Sequence, residues 1–428
     1  MCLKKSCAAL FLSVSLLISI AFAGVEAPFE IGTWGNFAKG AVSHTFDDWP
    51  TSNATQITAT GMDAFDAKKI PMTIFVNTDG LSTNNWNSLK TAFSHGHEVG
   101  SHNQQHNSNS SGVKPSHDAI VKNVPGEKAV SMAYPNCNTP GDAEVLKYYV
   151  AGRNCNGQIN NKTPGNFAQI GAVGVGAGQG NYTNDAAGIN AIADQAVTKN
   201  GWAVCMHHGI GSDRHSWATT NLDEMKKHLE YLDKNRDKIW AETFGNVALY
   251  INERDDASLT VKSSTDSKIT VSLTDNLPDT IYNYPLTIRR PLPDGWTTAS
   301  VLQKDKPVVD TIVTVNSKKY VMFNAIPDGG DIVITRDGVS VNKLFSDALT
   351  PGSVVVSKGL IIINPKGFSG SVISVSLFNL NGKIVTSYSS KNTATSFSVP
   401  FNVSANSAFV VKVTDGKTTV VSRYLSKM

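Results

Sequence analysis

Four side chains of this chain have the types and the spacing to hold and use a metal ion. Asp47 and Asp48 follow a short apolar run. His102 and His106 lie further along the chain, four positions apart. One carboxylate and two imidazoles suit a catalytic divalent metal, because three protein ligands leave one coordination position for water. The second carboxylate can take a proton from that water. These residues predict metal-assisted hydrolysis if the fold brings the two segments together.

The segments around these residues alternate between strand-like and helix-like patterns. Short apolar strands are predicted at 41–46, 72–76, 130–134 and 202–206. The clearest helix begins after Asn221, a capping residue with Glu224 three positions on. Its apolar face is formed by Leu222, Met225, Leu229 and Leu232. Alternating strands and helices predict an α/β fold with a parallel sheet, open or closed into a barrel, and catalytic groups at strand ends.

The amino-acid composition of the chain changes near residue 254. From residue 258 onward Val, Ile, Thr and Ser dominate and turn signals recur, which is typical of small all-β sandwich domains. The chain has 428 residues, a length that favours two or three domains. The predicted division is a signal peptide 1–23, a catalytic domain 24–254, a β-sandwich 255–337, a linker 338–352 and a C-terminal β domain 353–428.

The N-terminus has the pattern of a secretory signal peptide. Lys4 and Lys5 precede the apolar stretch 8–22, and Ala21-Phe22-Ala23 is an Ala-x-Ala cleavage site. A membrane anchor is the alternative, but the stretch is short for a membrane span. We therefore expect a secreted or cell-surface protein with no span in the mature chain.

Composition and cysteine usage agree with export. The net charge is +3 and 17% of residues are charged, which gives no reason to expect nucleic acid as a partner. Removal of the signal leaves three cysteines. Cys137 and Cys155 are the expected disulfide pair, since an oxidising compartment permits one. Cys205 lies in an apolar run and is expected to be a small buried residue.

The motifs around the four side chains resemble a known family. Thr45-Phe46-Asp47-Asp48, followed by Ser101-His102 and His106 in a Gly-His-Glu-Val-Gly context, resembles the polysaccharide deacetylases with the NodB-homology fold, carbohydrate esterase family 4. Softer matches lie at 132–135, 204–210 and 238–247. The resemblance covers roughly residues 30–254. It implies a distorted (β/α) barrel and metal-dependent removal of acetyl groups from carbohydrate.

The resemblance also implies a role for each motif residue. Asp47 is the expected general base. The expected metal ligands are Asp48, His102 and His106. They would bind one divalent ion, with Zn²⁺ favoured over Co²⁺ or Ni²⁺.

Two further roles come from the later motifs. A late-strand histidine would protonate the leaving group. His208 is favoured over His207 because Gly209-Ile210 follows it, and because neighbours on a strand face opposite sides. The backbone N–H of Asn136 is the candidate oxyanion donor.

One departure from the family pattern needs a replacement. Many members carry an arginine in the third motif that orients the base, and this chain has Ala133 there. A guanidinium near a carboxylate base holds it in one rotamer and keeps it ionised. We expect Arg153 to take this role beside Asp47.

The C-terminal segment has a weaker resemblance. Residues 377–383 and 411–413 resemble the sorting tails of type IX secretion cargo, which implies the secretion machinery as a partner. An ordinary β accessory domain is the alternative.

The expected function is a secreted, metal-dependent carbohydrate deacetylase acting on a polysaccharide or oligosaccharide. Acetylxylan is the preferred substrate, because an exported multidomain architecture suits the breakdown of plant polymers. Chitooligosaccharide or peptidoglycan N-deacetylation is the alternative. A different class of function is a catalytically degenerate barrel that only binds carbohydrate. The absent arginine at position 133 favours that class, and the intact base beside a metal site opposes it.

Overall fold

The computed structural model describes most of the chain. The described residues are 24–26, 28–49, 61–177, 182–211, 217–336, 354–357, 360–363, 368–379, 384–391, 397–400 and 408–425. The predicted signal peptide and the predicted linker 338–352 lie outside them.

The first half of the chain alternates strands with helices. Its strands are β1 Glu30–Ile31, β2 Gly40–Trp49, β3 Thr73–Val76, β4 Glu98–Ser101, β5 Ser131–Ala133, β6 Ala151–Arg153, β7 Val173–Gly174, β8 Trp202–His207 and β9 Ile239–Ala241. Its helices are α1 Met62–Lys68, α2 Thr83–Ser94, α3 Val113–Asn123, α4 Asp142–Val145, α5 Ala186–Lys199, α6 Leu222–Lys234 and α7 Phe244–Asp256.

Strands β2 to β9 form one parallel sheet. Their order is β6-β5-β4-β3-β2-β8-β7, and β9 pairs with the first residues of β2. The sheet forms a half-barrel, which is consistent with a distorted (β/α) barrel. The predicted fold class is confirmed.

Both faces of this sheet are buried, as expected for parallel strands covered by helices. On the outer face, Val42 and Cys205 pack with Leu229 of α6. On the inner face, Val204 and Met206 pack with residues of α7. The strand sequences are therefore nearly continuous apolar runs. Successive residues of β8 alternate between the outer and the inner core.

Helix α6 begins and packs as its sequence predicts. The Asn221 side chain accepts hydrogen bonds from the N–H groups of Asp223 and Glu224. Met225, Leu229 and Leu232 are buried. His228 lies on the same buried face, which the apolar pattern alone does not indicate.

The second half of the chain consists of antiparallel strands. They are β10 Ser258–Ser264, β11 Lys268–Thr274, β12 Leu286–Pro291, β13 Ala299–Gln303, β14 Lys306–Pro307, β15 Asp310–Val315, β16 Lys318–Ala325, β17 Ile332–Arg336, β18 Val354–Ser357, β19 Leu360–Ile363, β20 Val372–Asn379, β21 Ile384–Lys391, β22 Phe397–Pro400, β23 Ala408–Thr414 and β24 Thr419–Leu425.

These strands form two β units with separate cores. The first has a four-stranded sheet, β1-β12-β16-β15, and a five-stranded sheet, β10-β11-β17-β13-β14. Its core includes Leu259, Val271 and Phe323. The second unit has sheets β18-β19-β22 and β21-β20-β23-β24 around a core that includes Ile361 and Val411. The prediction of small all-β domains after the barrel agrees with this arrangement.

The barrel and the first β unit share contacts at their junction. Strand β1, in the predicted catalytic segment, pairs with β12. The Tyr284 hydroxyl donates to Glu242 Oε2 at 2.9 Å, and Leu286 packs in the inner barrel core. The predicted boundary between residues 254 and 255 falls inside α7. In the described part of the chain, no helix is both long and apolar enough to cross a membrane.

Candidate active site

The predicted site residues lie at the carboxyl ends of four parallel strands. Asp47 and Asp48 are near the end of β2, and His102 directly follows β4. Arg153 ends β6, and His208 directly follows β8. Because the strands are parallel, these ends meet at one edge of the sheet. They surround a cavity of about 440 Å³ that is lined by Asp47, Asp48, His102, His106, Tyr134, Asn136, Cys137, Cys155, Tyr182, Met206, His208 and Trp217.

A change of backbone conformation lets both aspartates reach this cavity. The φ angle of Asp48 is +60°, in the left-handed region that Asp adopts more readily than most residues. The pairing of β2 with β3 shifts between Phe46 and Trp49. In a regular strand the two carboxylates would face opposite sides. Here both line the same cavity.

Asp48, His102 and His106 form a compact set of metal-ligand atoms. Asp48 Oδ1 lies 3.1 Å from His102 Nε2 and 3.0 Å from His106 Nε2. All three ligand atoms lie within 4.8 Å of one another. Asp48 Oδ1 is buried and accepts no hydrogen bond from the described residues. A divalent cation among these atoms would satisfy it, so the residues fit the predicted metal.

The surroundings prepare two of these ligands. His102 Nδ1 donates to the Ala133 carbonyl oxygen at 3.0 Å, which leaves the Nε2 lone pair directed toward Asp48. Burial acts to raise the pKa of Asp48. The close contact with His102 and the positive charges that His102, His208 and His106 carry when protonated outweigh it and lower the pKa to about 2. The carboxylate is therefore ionised, as a metal ligand must be.

A buried asparagine that the motif analysis missed shapes the histidine loop. Asn103 follows His102 with φ +67°, and its side-chain amide donates to the carbonyls of Asn107 at 2.7 Å and Asn109 at 3.0 Å. The loop therefore turns back, and the rings of His102 and His106 lie 5.2 Å apart. The sequence offered one indication of this turn: an asparagine lies just past the end of a predicted strand segment, and Asn adopts the left-handed backbone conformation more readily than most residues.

Arg153 lies against Asp47. Its Nη2 contacts Asp47 Oδ2, and the two residues are 0% and 3% exposed. The guanidinium also lies 5.6 Å from the centre of the Phe75 ring, and Nη1 lies 3.0 Å from Met206 Sδ. The second oxygen, Asp47 Oδ1, is buried and has no hydrogen-bond partner among the described residues. Arg153 therefore lies beside Asp47, where it was expected, and its orienting role stays a prediction.

The cysteine predictions are confirmed. Cys137 and Cys155 form a disulfide, and Cys205 is free and buried. The disulfide joins the segment after β5 to the segment after β6, beside Arg153. Asn136 lies in the same cavity wall with φ +54°. Its role as an oxyanion donor stays a prediction.

The two neighbouring histidines face opposite sides of the sheet. His208 lines the cavity, and its Nδ1 is buried without a hydrogen-bond partner among the described residues. Burial lowers the pKa of His208, while the charges of Asp47 and Asp48 act to raise it. His207 contacts His44 and Thr220 on the outer face. The geometry brings His208, and not His207, to the site.

Two aromatic residues of the cavity were not predicted. The Trp217 ring packs edge-on against His208 with centroids 4.6 Å apart, and it contacts Tyr182 at 5.7 Å. Trp217 is 47% exposed, so it offers an open apolar surface at the cavity mouth. The sequence gives one indication of Trp217 as a cavity residue, which is its position shortly after His207 and His208.

Comparisons with known proteins match parts of the chain. Residues 35–141 match the family model described as polysaccharide deacetylase. A gellan lyase from Bacillus sp. is 27% identical over 347 residues, which cover 75% of this chain. The chain spans 14% of the length of that relative.

Several solved structures also match part of the chain. A CE4 esterase of Streptococcus mutans is 17% identical with a TM-score of 0.36, over 48% of this chain and 86% of that one. The Xyl-CE4 domain of a multidomain xylanase from the hindgut metagenome of Trinervitermes trinervoides is 14% identical with a TM-score of 0.34, over 49% of this chain and 89% of that one.

Proposed function

We propose that this chain is a metal-dependent esterase that releases acetate from an acetylated polysaccharide, with acetylxylan as the preferred substrate. The match of residues 35–141 to the polysaccharide deacetylase model supports the proposal. The observation that carries the proposal is one cavity holding the Asp48, His102 and His106 ligand set together with Asp47 and His208. A site that only bound glycan would have no need for a free carboxylate oxygen beside a metal set.

The ligand set suits Zn²⁺, which binds imidazole nitrogen and carboxylate oxygen. When bound, the cation would polarise the acetyl carbonyl and lower the pKa of a water molecule. Asp48 would supply the anionic ligand. His102 would be held in the required tautomer by the Ala133 carbonyl.

Asp47 and His208 would move the protons. Asp47 Oδ1 has no partner among the described residues and can accept the proton of the attacking water. Arg153 would hold the opposite carboxylate oxygen, so that Asp47 keeps one rotamer. His208 would give a proton to the sugar oxygen as its bond to the acetyl carbon breaks. The products would be acetate and the free hydroxyl.

Export is part of the proposal and rests on the sequence. The signal-peptide pattern of residues 1–23 and the Cys137–Cys155 disulfide are both typical of an oxidising compartment outside the cytosol. The lyase activity named for the Bacillus relative is not extended to this chain, which spans 14% of that protein.

The test is acetate release by the purified chain from acetylated xylan, acetylated chitooligosaccharides and peptidoglycan, each with and without chelator. We expect acetate from xylan that stops with chelator and returns with added Zn²⁺. Release from chitooligosaccharide or peptidoglycan alone would instead identify an N-deacetylase. Binding to a glycan without release from any substrate would identify a carbohydrate-binding protein.

A further inference from the structure

A second histidine cluster lies on the outer face of the sheet, away from the cavity. His44 of β2, His207 of β8 and His228 of α6 are each 0% exposed. His44 Nδ1 lies 3.0 Å from His207 Nε2, and His44 Nε2 lies 3.2 Å from His228 Nε2. The three rings form a line, with His44 in the middle.

Both ends of this line have hydrogen-bond partners. His207 Nδ1 lies 2.8 Å from the Thr220 hydroxyl, and His228 Nδ1 lies 2.7 Å from Asn190 Oδ1 of α5. Every ring nitrogen of the three histidines therefore has a partner. The result is a continuous chain of hydrogen bonds from Thr220 through His207, His44 and His228 to Asn190, called here the histidine chain.

The histidine chain is complete with three neutral rings when the Thr220 hydroxyl donates its hydrogen bond. It has four links, and each link needs one proton. Three neutral imidazoles supply one N–H each, and the Thr220 hydroxyl supplies the fourth proton. A charged ring would supply two N–H groups, and Thr220 would then accept a hydrogen bond instead of donating one. All three rings are fully buried, and none of the four links involves a carboxylate that would offset a charge, so neutral rings are favoured. Burial lowers the pKa of His44 to about 3 and lowers the pKa values of His207 and His228 well below their usual range, which agrees with neutral rings.

The histidine chain ends at the loop that carries His208. The Thr220 N–H donates to the Gly209 carbonyl at 3.0 Å, and the Gly211 N–H donates to the Thr220 carbonyl at 2.9 Å. Thr220 therefore anchors the loop on both sides. At the other strand, His44 lies three residues before Asp47 on β2. The histidine chain thus connects the strand of the predicted base to the strand end of the predicted acid.

We propose that the histidine chain positions His208 relative to Asp47, with Thr220 as the donor that sets the direction of its hydrogen bonds. His44, His207, His228 and Thr220 are then positioning residues, and the inference rests on the proposed hydrolysis. A small displacement of a catalytic group lowers turnover without removing substrate contacts, because only the transition-state geometry is lost.

The direction of the hydrogen bonds gives a spectroscopic test on the full chain. With Thr220 as donor, His207 and His44 carry their protons on Nε2, and His228 carries its proton on Nδ1. Two-dimensional ¹⁵N spectra of the ring nitrogens should show these three tautomers at neutral pH. A charged ring, a reversed tautomer, or a second bound metal ion on His44 and His207 would overturn the inference.

Thr220 also offers a matched pair of variants, because its side chain is buried and its hydroxyl contacts His207. Thr220→Val keeps the shape and removes the donor, whereas Thr220→Ser keeps the donor. Since a hydrogen bond contributes about 0.5–1.5 kcal/mol, we expect Thr220→Val to lower kcat roughly 3- to 10-fold with KM nearly unchanged. Thr220→Ser should stay close to the unmodified protein.

A readout without substrate separates this inference from the proposed function. In Thr220→Val the ring resonances of His208 should shift, and in Thr220→Ser they should not. Unchanged His208 resonances in Thr220→Val would overturn the positioning role even if the enzyme is active. Absence of acetate release from the unmodified chain, with the expected His208 shift intact, would count against the proposed hydrolysis and leave the structural coupling standing.

Discussion

Carboxylates at the two ends of the parallel sheet meet different partners. At the carboxyl end, Asp48 is surrounded by histidines, and its pKa falls to about 2 although burial opposes this. At the amino end, burial raises the pKa of Glu127 to about 7, with the charge of Glu98 acting in the same direction. Burial also raises the pKa of Glu98.

The acidic groups at the amino end are satisfied by neutral donors. Glu127 accepts the N–H groups of Val99 at 3.0 Å and Lys128 at 2.9 Å. Glu98 accepts the hydroxyls of Thr73 at 2.7 Å and Ser131 at 2.5 Å. Glu98 also accepts the N–H of Gly245 in α7 at 2.8 Å.

The difference shows that burial alone does not make a reactive carboxylate. Burial acts in the same direction at both ends, and the charge of the partners decides whether the acid stays ionised. Arg153 and the imidazoles of His102, His106 and His208 gather at the carboxyl end, around the cavity. Neutral donors gather at the amino end, where carboxyl groups support the structure.

Removing the base should have the largest effect at the carboxyl end. Asp47→Asn keeps the shape and the Arg153 contact but cannot accept the water proton. Turnover should fall by about 10²- to 10⁴-fold with bound metal unchanged. Acetate release and metal analysis would measure both. Asp223→Asn, at a side chain that is 84% exposed, is the control. Near-normal turnover in Asp47→Asn would remove Asp47 from the mechanism.

Removing a ligand should separate metal binding from the rest of the site. His106→Ala leaves two ligands. Loss of a residue that hydrogen-bonds a metal ligand typically lowers metal affinity roughly 10- to 100-fold, so loss of a ligand itself should lower it by more. Metal analysis after dialysis would measure this. His117→Ala is the control, because His117 lies outside the ligand set. Equal metal content in both variants would contradict the assignment.

Removing Arg153 should leave the Asp47 carboxylate buried without a cation. Unlike Glu98 and Glu127 at the amino end, Asp47 would have no neutral donors among the described residues to replace it. Arg153→Ala leaves Asp47 buried and unpaired, which should lower the free energy of unfolding by about 3–5 kcal/mol and reduce turnover. Arg153→Lys should recover part of both, because an ammonium has the charge but lacks the planar fork. Denaturant unfolding and acetate release would be compared. A fully active Arg153→Ala would show that Asp47 needs no orienting cation.

The smallest expected effect concerns stability at the amino end. Burial raises the pKa of Glu253 in α7 from 4.5 to about 8. Between these values the folded state keeps a proton that the unfolded state has lost, so the contribution of this group to stability falls as pH rises from 4.5 to about 8. Glu253→Gln should therefore show a weaker decline of the denaturant midpoint over that range. Glu144→Gln is the control, at a side chain that is 27% exposed and pairs with Lys147. Identical pH profiles for Glu253→Gln and the unmodified chain would contradict the assignment.

Local sequence was enough for the features that depend on neighbours in the chain. The cap and buried face of α6 follow from Asn221 and from apolar residues at helical spacing. The two motifs predicted Asp48, His102 and His106 as metal ligands, and the structure brings their ligand atoms within 4.8 Å of one another. The alternation of strands and helices predicted the parallel sheet, because the apolar pattern of each segment is local to it.

Tertiary structure decided everything that depends on residues far apart in number. A strand pattern places Asp47 and Asp48 on opposite faces, and only the left-handed backbone at Asp48 turns both toward the cavity. The contact of Arg153 with Asp47 spans 106 positions, and that of His44 with His228 spans 184. Such contacts depend on strand order and helix packing, which no local pattern encodes. The pKa values follow from the same packing, because the loss of water and the charge of each neighbour exist only once the chain has folded.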